Sequence, residues 1–265
     1  MTLKHKYGPL ALVAGASEGI GAAFAEYLAG SGMDLILVAR RREPLKQLAG
    51  LLEYKYHVNI KCLCCDLADP DAASRLKETL SGEEINLLVY NAALSYIGPF
   101  EKNTPEHNSQ IAQANMVTPM NMAQIFGGAM LEKGKGAVIL MASLAGFQGS
   151  GFLAAYAATK AFNRVLAESL WYEWKNRGVD VIACCAGATS SPNFILTKPK
   201  KSSAYAPRVL SPDEVAKECF QHLGKKPSFV TGRGNKVASF IMQKLMPRKM
   251  AINIMGDTTR KMYRL

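Results

Sequence analysis

The sequence predicts a doubly wound α/β sandwich, a parallel sheet with helices on both faces. Two observations carry that expectation. Apolar runs of strand length, bounded by Gly, Asp or Asn, recur along the 265 residues with helical segments between them. The runs are continuously apolar rather than alternating, as strands buried on both faces are. Apolar residues make up 49% of the chain, enough for one large domain with a substantial core, and there is no internal repeat.

The elements follow in order. "LALVAGAS" is the first strand and "IGAAFAEYLAGSG" the first helix; "DLILVAR", a helix through "PLKQLAGLLEYKY" and the strand "NIKCLCCDLAD" come next. "INLLVYNAA", a helical stretch around "IAQANMVTPMNMAQIFGGAML", "GAVILMAS", the helix containing "AAYAATKAF" and "VDVIACCAGA" complete the regular alternation. After Gly187 the pattern breaks. Residues 188–210, rich in Ser, Pro and Lys, are too long for a simple connector, and loops of that length are usually functional lids or disordered. "SPDEVAKECFQHL" begins with Ser211 at the N-cap, Pro212 at the first helical position and Glu214 completing a capping box. "SFVTG" is a final short strand. "KVASFIMQKLM" sets Val237, Phe240, Ile241 and Leu245 on one helical face. Residues 1–232 are therefore the expected main domain and residues 233–265 a basic, Met-rich C-terminal extension.

Composition narrows the function. No stretch approaches the roughly 18 uninterrupted apolar residues of a membrane span, and the opening residues lack a signal peptide's apolar segment, so a cytoplasmic protein is expected. The six cysteines fall inside apolar runs, no C-x-x-C occurs and the four histidines are scattered. Reduced core thiols and no metal site are the expectation. The net charge of +11 is uneven: from Lys225 onward ten Lys or Arg face a single acid, Asp257. That tail reads as a lid over an apolar ligand, a patch for an anionic membrane or a face for a partner subunit. No motif accompanies the charge to suggest nucleic-acid binding.

At the first strand-to-helix turn stands "GASEGIG", with Gly15, Gly19 and Gly21. Glycines here let the backbone turn tightly and approach a pyrophosphate met by helix N-terminal amides. About 20 residues on, an acid would bind the ribose of NAD. The sequence has "VARRRE" instead, with Ala39 in the acid's place followed by Arg40 and Arg41, which favours the 2′-phosphate of NADP(H). Tyr156 and Lys160, four residues apart, share a helical face.

With these motifs the chain resembles the short-chain dehydrogenase/reductase family from Leu10 to about Gly232. "AGASEGIG" is similar to the family's TGxxxGIG loop, with Ala14 where Thr is usual. "YNAA" corresponds to NNAG, keeping Asn91 and Ala92 while Tyr90 and Ala93 depart. Asp66 matches the aspartate beside the adenine ring, Asn115 the structural and catalytic asparagine, Ser143 the catalytic serine, and "YAATK" the YxxxK pair. In "CCAGATSS", Ala186 replaces the usual proline. The resemblance implies a Rossmann fold whose cofactor borders Gly15, Ser17, Glu18, Gly19, Ile20, Gly21, Arg40, Arg41, Asp66, Leu67, Asn91, Ala92, Tyr156 and Lys160.

It also implies a mechanism. Tyr156 is the expected proton donor to a carbonyl oxygen, and a neighbouring ammonium, Lys160, is expected to lower its pKa. Ser143 would hold the substrate oxygen and Asn115 a relay water. Leu144, Phe147 and Phe152, with Phe194, Ile195, Leu196 and Tyr205 in the loop, suggest a large apolar substrate. "KYG", "ILVARRREPLKQLA" and "HLGKKPSFVTG" are most similar to microbial hydroxysteroid dehydrogenases acting on bile acids, and more distantly to membrane-anchored hydroxysteroid and ketoacyl reductases. The alternatives are a reductase of ketoacyl thioesters or other apolar ketones, and a non-catalytic NADPH sensor. The family also implies a homodimer or homotetramer packed through the helices bearing Asn115 and Tyr156.

Overall fold

Seven parallel strands form the sheet of a computed structural model that describes residues 2–200 and 208–265. Tyr205 lies outside the described residues. The strands are β1 (Leu10–Ala14), β2 (Asp34–Ala39), β3 (Ile60–Cys64), β4 (Leu87–Tyr90), β5 (Gly136–Ser143), β6 (Val179–Ala186) and β7 (Ser228–Val230). Their order is β3-β2-β1-β4-β5-β6-β7, so the chain winds outward in both directions from β1 and β4. Ligands in such sheets bind beyond the carboxyl ends of the strands where the order reverses.

The strands are apolar throughout because both faces are covered. Ala11, Val13, Leu35, Leu37, Leu87 and Val89 face α2 (Gly19–Gly30), α3 (Arg42–Tyr56) and α9 (Pro212–His222). The intervening Leu12, Ala14, Ile36, Val38, Leu88 and Tyr90 face α4 (Ala72–Thr79), α6 (Thr118–Lys133) and α7 (Ala154–Trp174). The predicted capping box of α9 is present, with Ser211 accepting from the Glu214 amide and Glu214 accepting from the Ser211 amide.

Several features depart from the sequence pattern. The short α1 (Leu3–Tyr7) and the polar α4 were not expected, since neither is long enough to give a periodic signal. The helical stretch around Asn115 is α5 (Pro105–Ala112) and α6 joined by one π turn, Gln113–Val117. Residues 188–210 contain α8 (Pro192–Leu196) and are pinned at the base by a bridge between Thr189 and Leu210. Cys184, Cys185 and Cys219 are buried core thiols, but Cys64 is exposed and Cys62 and Cys65 are half-buried, because β3 is an edge strand.

The tail is ordered. "KVASFIMQKLM" forms α10 (Arg233–Phe240), which runs into a second π turn at Ile241–Leu245, and α11 (Arg248–Tyr263) then returns across the sheet's carboxyl end. Among the described residues no helix is long and apolar enough to cross a membrane.

Candidate active site

The glycine turn between β1 and α2 is tied to its neighbours by backbone geometry that side chains would prevent. The amides of Gly15 and Ala16 both donate to the Val38 carbonyl, at 2.8 and 3.2 Å. Gly15 has φ +81°, and a Cβ there would lie 2.6 Å from the Ala92 nitrogen. A Cβ on Gly21 would sit 1.9 Å from the Gly15 carbonyl oxygen. The Asn91 amide crosses from the end of β4 to donate to that same oxygen at 2.9 Å. No side chain caps the first turn of α2, so its amides are left for an anion, and the cradle suits a pyrophosphate.

Arg41 lies at the end of β2 next to this turn, and its guanidinium pairs with the Glu18 carboxylate at 2.6 Å. Arg40 is exposed beside it. Asp66 is exposed after β3 and its Oδ1 accepts from the Ala68 amide at 3.0 Å, while the buried Leu67 carbonyl accepts from Thr118 Oγ1 at 2.9 Å. Ser17, Gly19, Ile20 and Ala92 are partly exposed on the same rim. Ser191, at the start of α8, approaches Gly19, with its Cβ 2.9 Å from where a Gly19 Cβ would stand. The loop after β6 therefore meets the glycine turn.

Tyr156 and Lys160 lie on one face of α7, as their spacing predicted, with the Lys160 Nζ 5.7 Å from the Tyr156 ring centre. Lys160 is only 2% exposed and donates to the Met141 carbonyl at 2.9 Å. Burial lowers its pKa from 10.5 to about 8. Burial raises the Tyr156 phenol above its ordinary value, the Ser143 hydroxyl pulls it down, and Tyr263 nearby pushes it up. The lowering of Tyr156 by Lys160 expected from the sequence does not emerge in this arrangement, because enclosure disfavours both charges. Ser143 closes β5, and its Oγ accepts from the Ala145 amide at 3.2 Å.

Asn115 is fully buried in the π turn, and its side chain is committed to the protein. Its Oδ1 accepts from the Leu94 amide at 2.8 Å, and its Nδ2 donates to the Leu94 carbonyl at 2.8 Å and to Thr159 Oγ1 at 3.0 Å. These bonds clamp the loop after β4 to α7. Tyr90, which departs from the motif, donates to the Ala114 carbonyl at 2.6 Å and so braces the same turn from β4.

The tail roofs this site. The Arg260 guanidinium lies 5.4 Å from the Phe152 ring centre, and Phe152 itself has φ +63° with its carbonyl accepting from the Gly98 amide at 3.0 Å. A Cβ on Gly151 would lie 3.2 Å from the Gly256 Cα. The Lys200 amide donates to the Met262 carbonyl at 3.0 Å, joining the loop after β6 to α11. Thr159, Met141 and Tyr263 were missed in the sequence. Thr159 sits inside the YAATK motif and could have been noticed; nothing local marks Tyr263.

A glycine turn at the reversal point of a parallel sheet, together with a phenol and an ammonium on one face of α7, defines the class of dinucleotide-linked oxidoreductases. The family model for short chain dehydrogenases matches residues 9–201, and the chain belongs to the short-chain dehydrogenase/reductase family, enzymes that use a nicotinamide cofactor. It is 36% identical to the 7beta-hydroxysteroid dehydrogenase of Clostridium sardiniense, covering 89% of this chain and 90% of that protein. A solved 7beta-hydroxysteroid dehydrogenase, described for its stereoselectivity, superposes with a TM-score of 0.91 at 30% identity, covering 96% of this chain and 99% of that one. A short-chain dehydrogenase from Sphingobium yanoikuyae in complex with NADPH superposes with a TM-score of 0.75 at 29% identity, covering 84% and 87%.

Proposed function

We propose that this enzyme interconverts a secondary alcohol and a ketone on a hydroxysteroid of the bile-acid kind, using NADP(H). The observation that carries the chemistry is that Lys160 shares a face of α7 with Tyr156, whose phenol meets the Ser143 hydroxyl. A nicotinamide bound there supplies a hydride to the substrate carbon in reduction and accepts one in oxidation. The chain's own residues manage the oxygen. Tyr156 gives its proton to the oxygen as the carbonyl becomes an alcohol, and takes it back in the reverse direction. Ser143 donates to the same oxygen as its negative charge grows. Lys160, on the same face of α7, resupplies the Tyr156 proton, because burial brings its ammonium to ionise near neutral pH. Asn115 acts as a positioning residue that holds α7 against the loop after β4.

NADP(H) is favoured because β2 ends in Ala39, with no carboxylate to repel a 2′-phosphate, and Arg40 and Arg41 follow. The steroid assignment rests on the similarity to 7beta-hydroxysteroid dehydrogenases over nearly the whole of both chains. Phe152 beneath α11, and Tyr263 of α11 near Tyr156, supply apolar surface for such a nucleus. The enzyme assembles as a homo-oligomer through α6 and α7, whose Met120, Val165 and Tyr172 are exposed at 39%, 51% and 70%.

The test is NADPH and NADH consumption across oxo-bile acids, neutral keto-steroids, a ketoacyl thioester and a simple aromatic ketone, for the wild type and Tyr156→Phe. Turnover of a steroid ketone with NADPH, lost about a hundred- to ten-thousand-fold in Tyr156→Phe with NADPH binding retained, is the expected result. Turnover confined to the thioester would overturn the substrate, and an unimpaired Tyr156→Phe would overturn the mechanism.

A further inference from the structure

The face of α10 and its π turn has no role in the chemistry above, and its composition is unusual for a solvated surface. Val237, Phe240, Ile241 and Leu245 point outward, exposed at 60%, 58%, 41% and 69%. Their i, i+3, i+4, i+8 spacing makes one continuous apolar row. Cations border it. Arg233, Lys244, Arg248 and Lys249 are all exposed, and among the described residues none of them has an acidic partner; only Lys236 is paired, with Glu218 at 3.2 Å. No acid occurs between Lys225 and Gly256.

Beside the row, α10 and β7 enclose an open cleft of about 270 Å³. Lys226 and Lys244 line it, together with Lys236, which Glu218 holds, and Ser228, whose hydroxyl donates to Glu168 at 2.6 Å; Phe240 forms its apolar edge. A seat for a phosphate-bearing headgroup thus adjoins side chains suited to the acyl boundary.

We propose that this face docks peripherally on an anionic phospholipid membrane, with Phe240, Ile241 and Leu245 entering the interface and Lys226 and Lys244 meeting lipid phosphates. Burial of a short apolar row together with attraction to anionic lipid is what holds an amphipathic helix in the plane of a bilayer. A second copy of the chain fits the face less well, because a two-fold contact would set Lys244, Arg248 and Lys249 against an equally cationic surface. An anionic bilayer supplies the missing charge and the apolar medium at once.

The experiment is flotation of the full chain with vesicles of phosphatidylcholine alone and of phosphatidylcholine mixed with phosphatidylglycerol, at low and high salt. Two variants accompany it. Phe240→Asp/Leu245→Asp removes the apolar row, and Lys244→Glu/Lys249→Glu reverses the charge while keeping the row; all four positions are exposed, so the thermal midpoint should not move. Wild type is expected to float with the phosphatidylglycerol vesicles only and to be released by salt, with each variant retained about tenfold less. Wild type that stays off the anionic vesicles, or variants that float as well as wild type, would overturn the proposal. A fall in particle mass by light scattering for Phe240→Asp/Leu245→Asp, with no wild-type flotation, would assign the face to a second copy instead.

Discussion

The Lys160 ammonium lies 5.7 Å from the centre of the Tyr156 ring and is held there by the Met141 carbonyl, 2.9 Å away. The lysine is placed by the strand rather than by the tyrosine. Its buried charge is costly, which is why its pKa falls to about 8.

That value sets a pH dependence. Proton donation by Tyr156 draws on a protonated Lys160, so kcat/KM for ketone reduction should be level below about 8 and fall as pH rises through it. A profile that keeps rising past this pH would contradict the role given to Lys160.

The same shift bears on stability. The folded value lies below the ordinary 10.5, so between about 8 and 10.5 the unfolded chain binds more protons and Lys160 makes stability rise with pH; below about 8 the full cost of its buried charge is present. Lys160→Met should unfold at the same or a higher temperature at neutral pH, lose this rise, and have almost no turnover. Thermal melts at two pH values and an NADPH assay check all three.

The Glu18–Arg41 pair leads to a cofactor prediction. Removing Arg41 with Ala should weaken NADPH about 10- to 100-fold while scarcely changing NADH, since a charged hydrogen bond to the 2′-phosphate is lost. Glu18→Gln frees Arg41 and removes a carboxylate from the phosphate's vicinity. Because the pair is solvent-exposed and worth at most about 1 kcal/mol, the gain in NADPH affinity should be a few-fold. Titration by fluorescence with both cofactors reads the two effects directly.

Asn115→Ala leaves the Leu94 amide and carbonyl without their buried partner, and a loss of about 2–4 kcal/mol in unfolding free energy is expected. Thr159→Val, which removes one contact only, should cost less. Denaturant melts of the two variants separate the clamp from the helix contact.

Gly151→Val would push against Gly256, since even a single added carbon comes within 3.2 Å of its Cα. Lifting α11 from the site should raise KM for the ketone roughly tenfold and leave the NADPH dissociation constant unchanged. An equal loss for both ligands would show that the roof serves the whole domain and not the substrate side.

Much of this arrangement was legible in the chain because its signals are local. β1, β2, β4, β5 and β6 are continuous apolar runs, and Gly15, Gly21, Tyr156 and Lys160 announce themselves by spacing within one turn or one helix. What was not legible depends on contacts across long separations. The Asn115 bonds to Leu94 and Thr159, the Glu18–Arg41 pair and the approach of Tyr263 to Tyr156 join residues that no periodicity connects. The direction of the Tyr156 shift was missed for a related reason, since enclosure is a property of the packed fold. Both π turns were hidden as well, because a single extra residue barely disturbs a helical apolar pattern.

Strand order also governs how the molecule comes together in time. Five of the six strand pairings join strands consecutive in the chain, and only β1 with β4 brings distant segments side by side. Each half of the sheet can therefore form by short-range closure, while the seam between them waits on a much longer loop. The Asn91–Gly15 hydrogen bond is a stitch across that seam, and the glycine turn lies at its end. The crevice for the dinucleotide therefore opens on the one seam of the sheet that consecutive strands do not make, and a ligand spanning it would tie the two halves together.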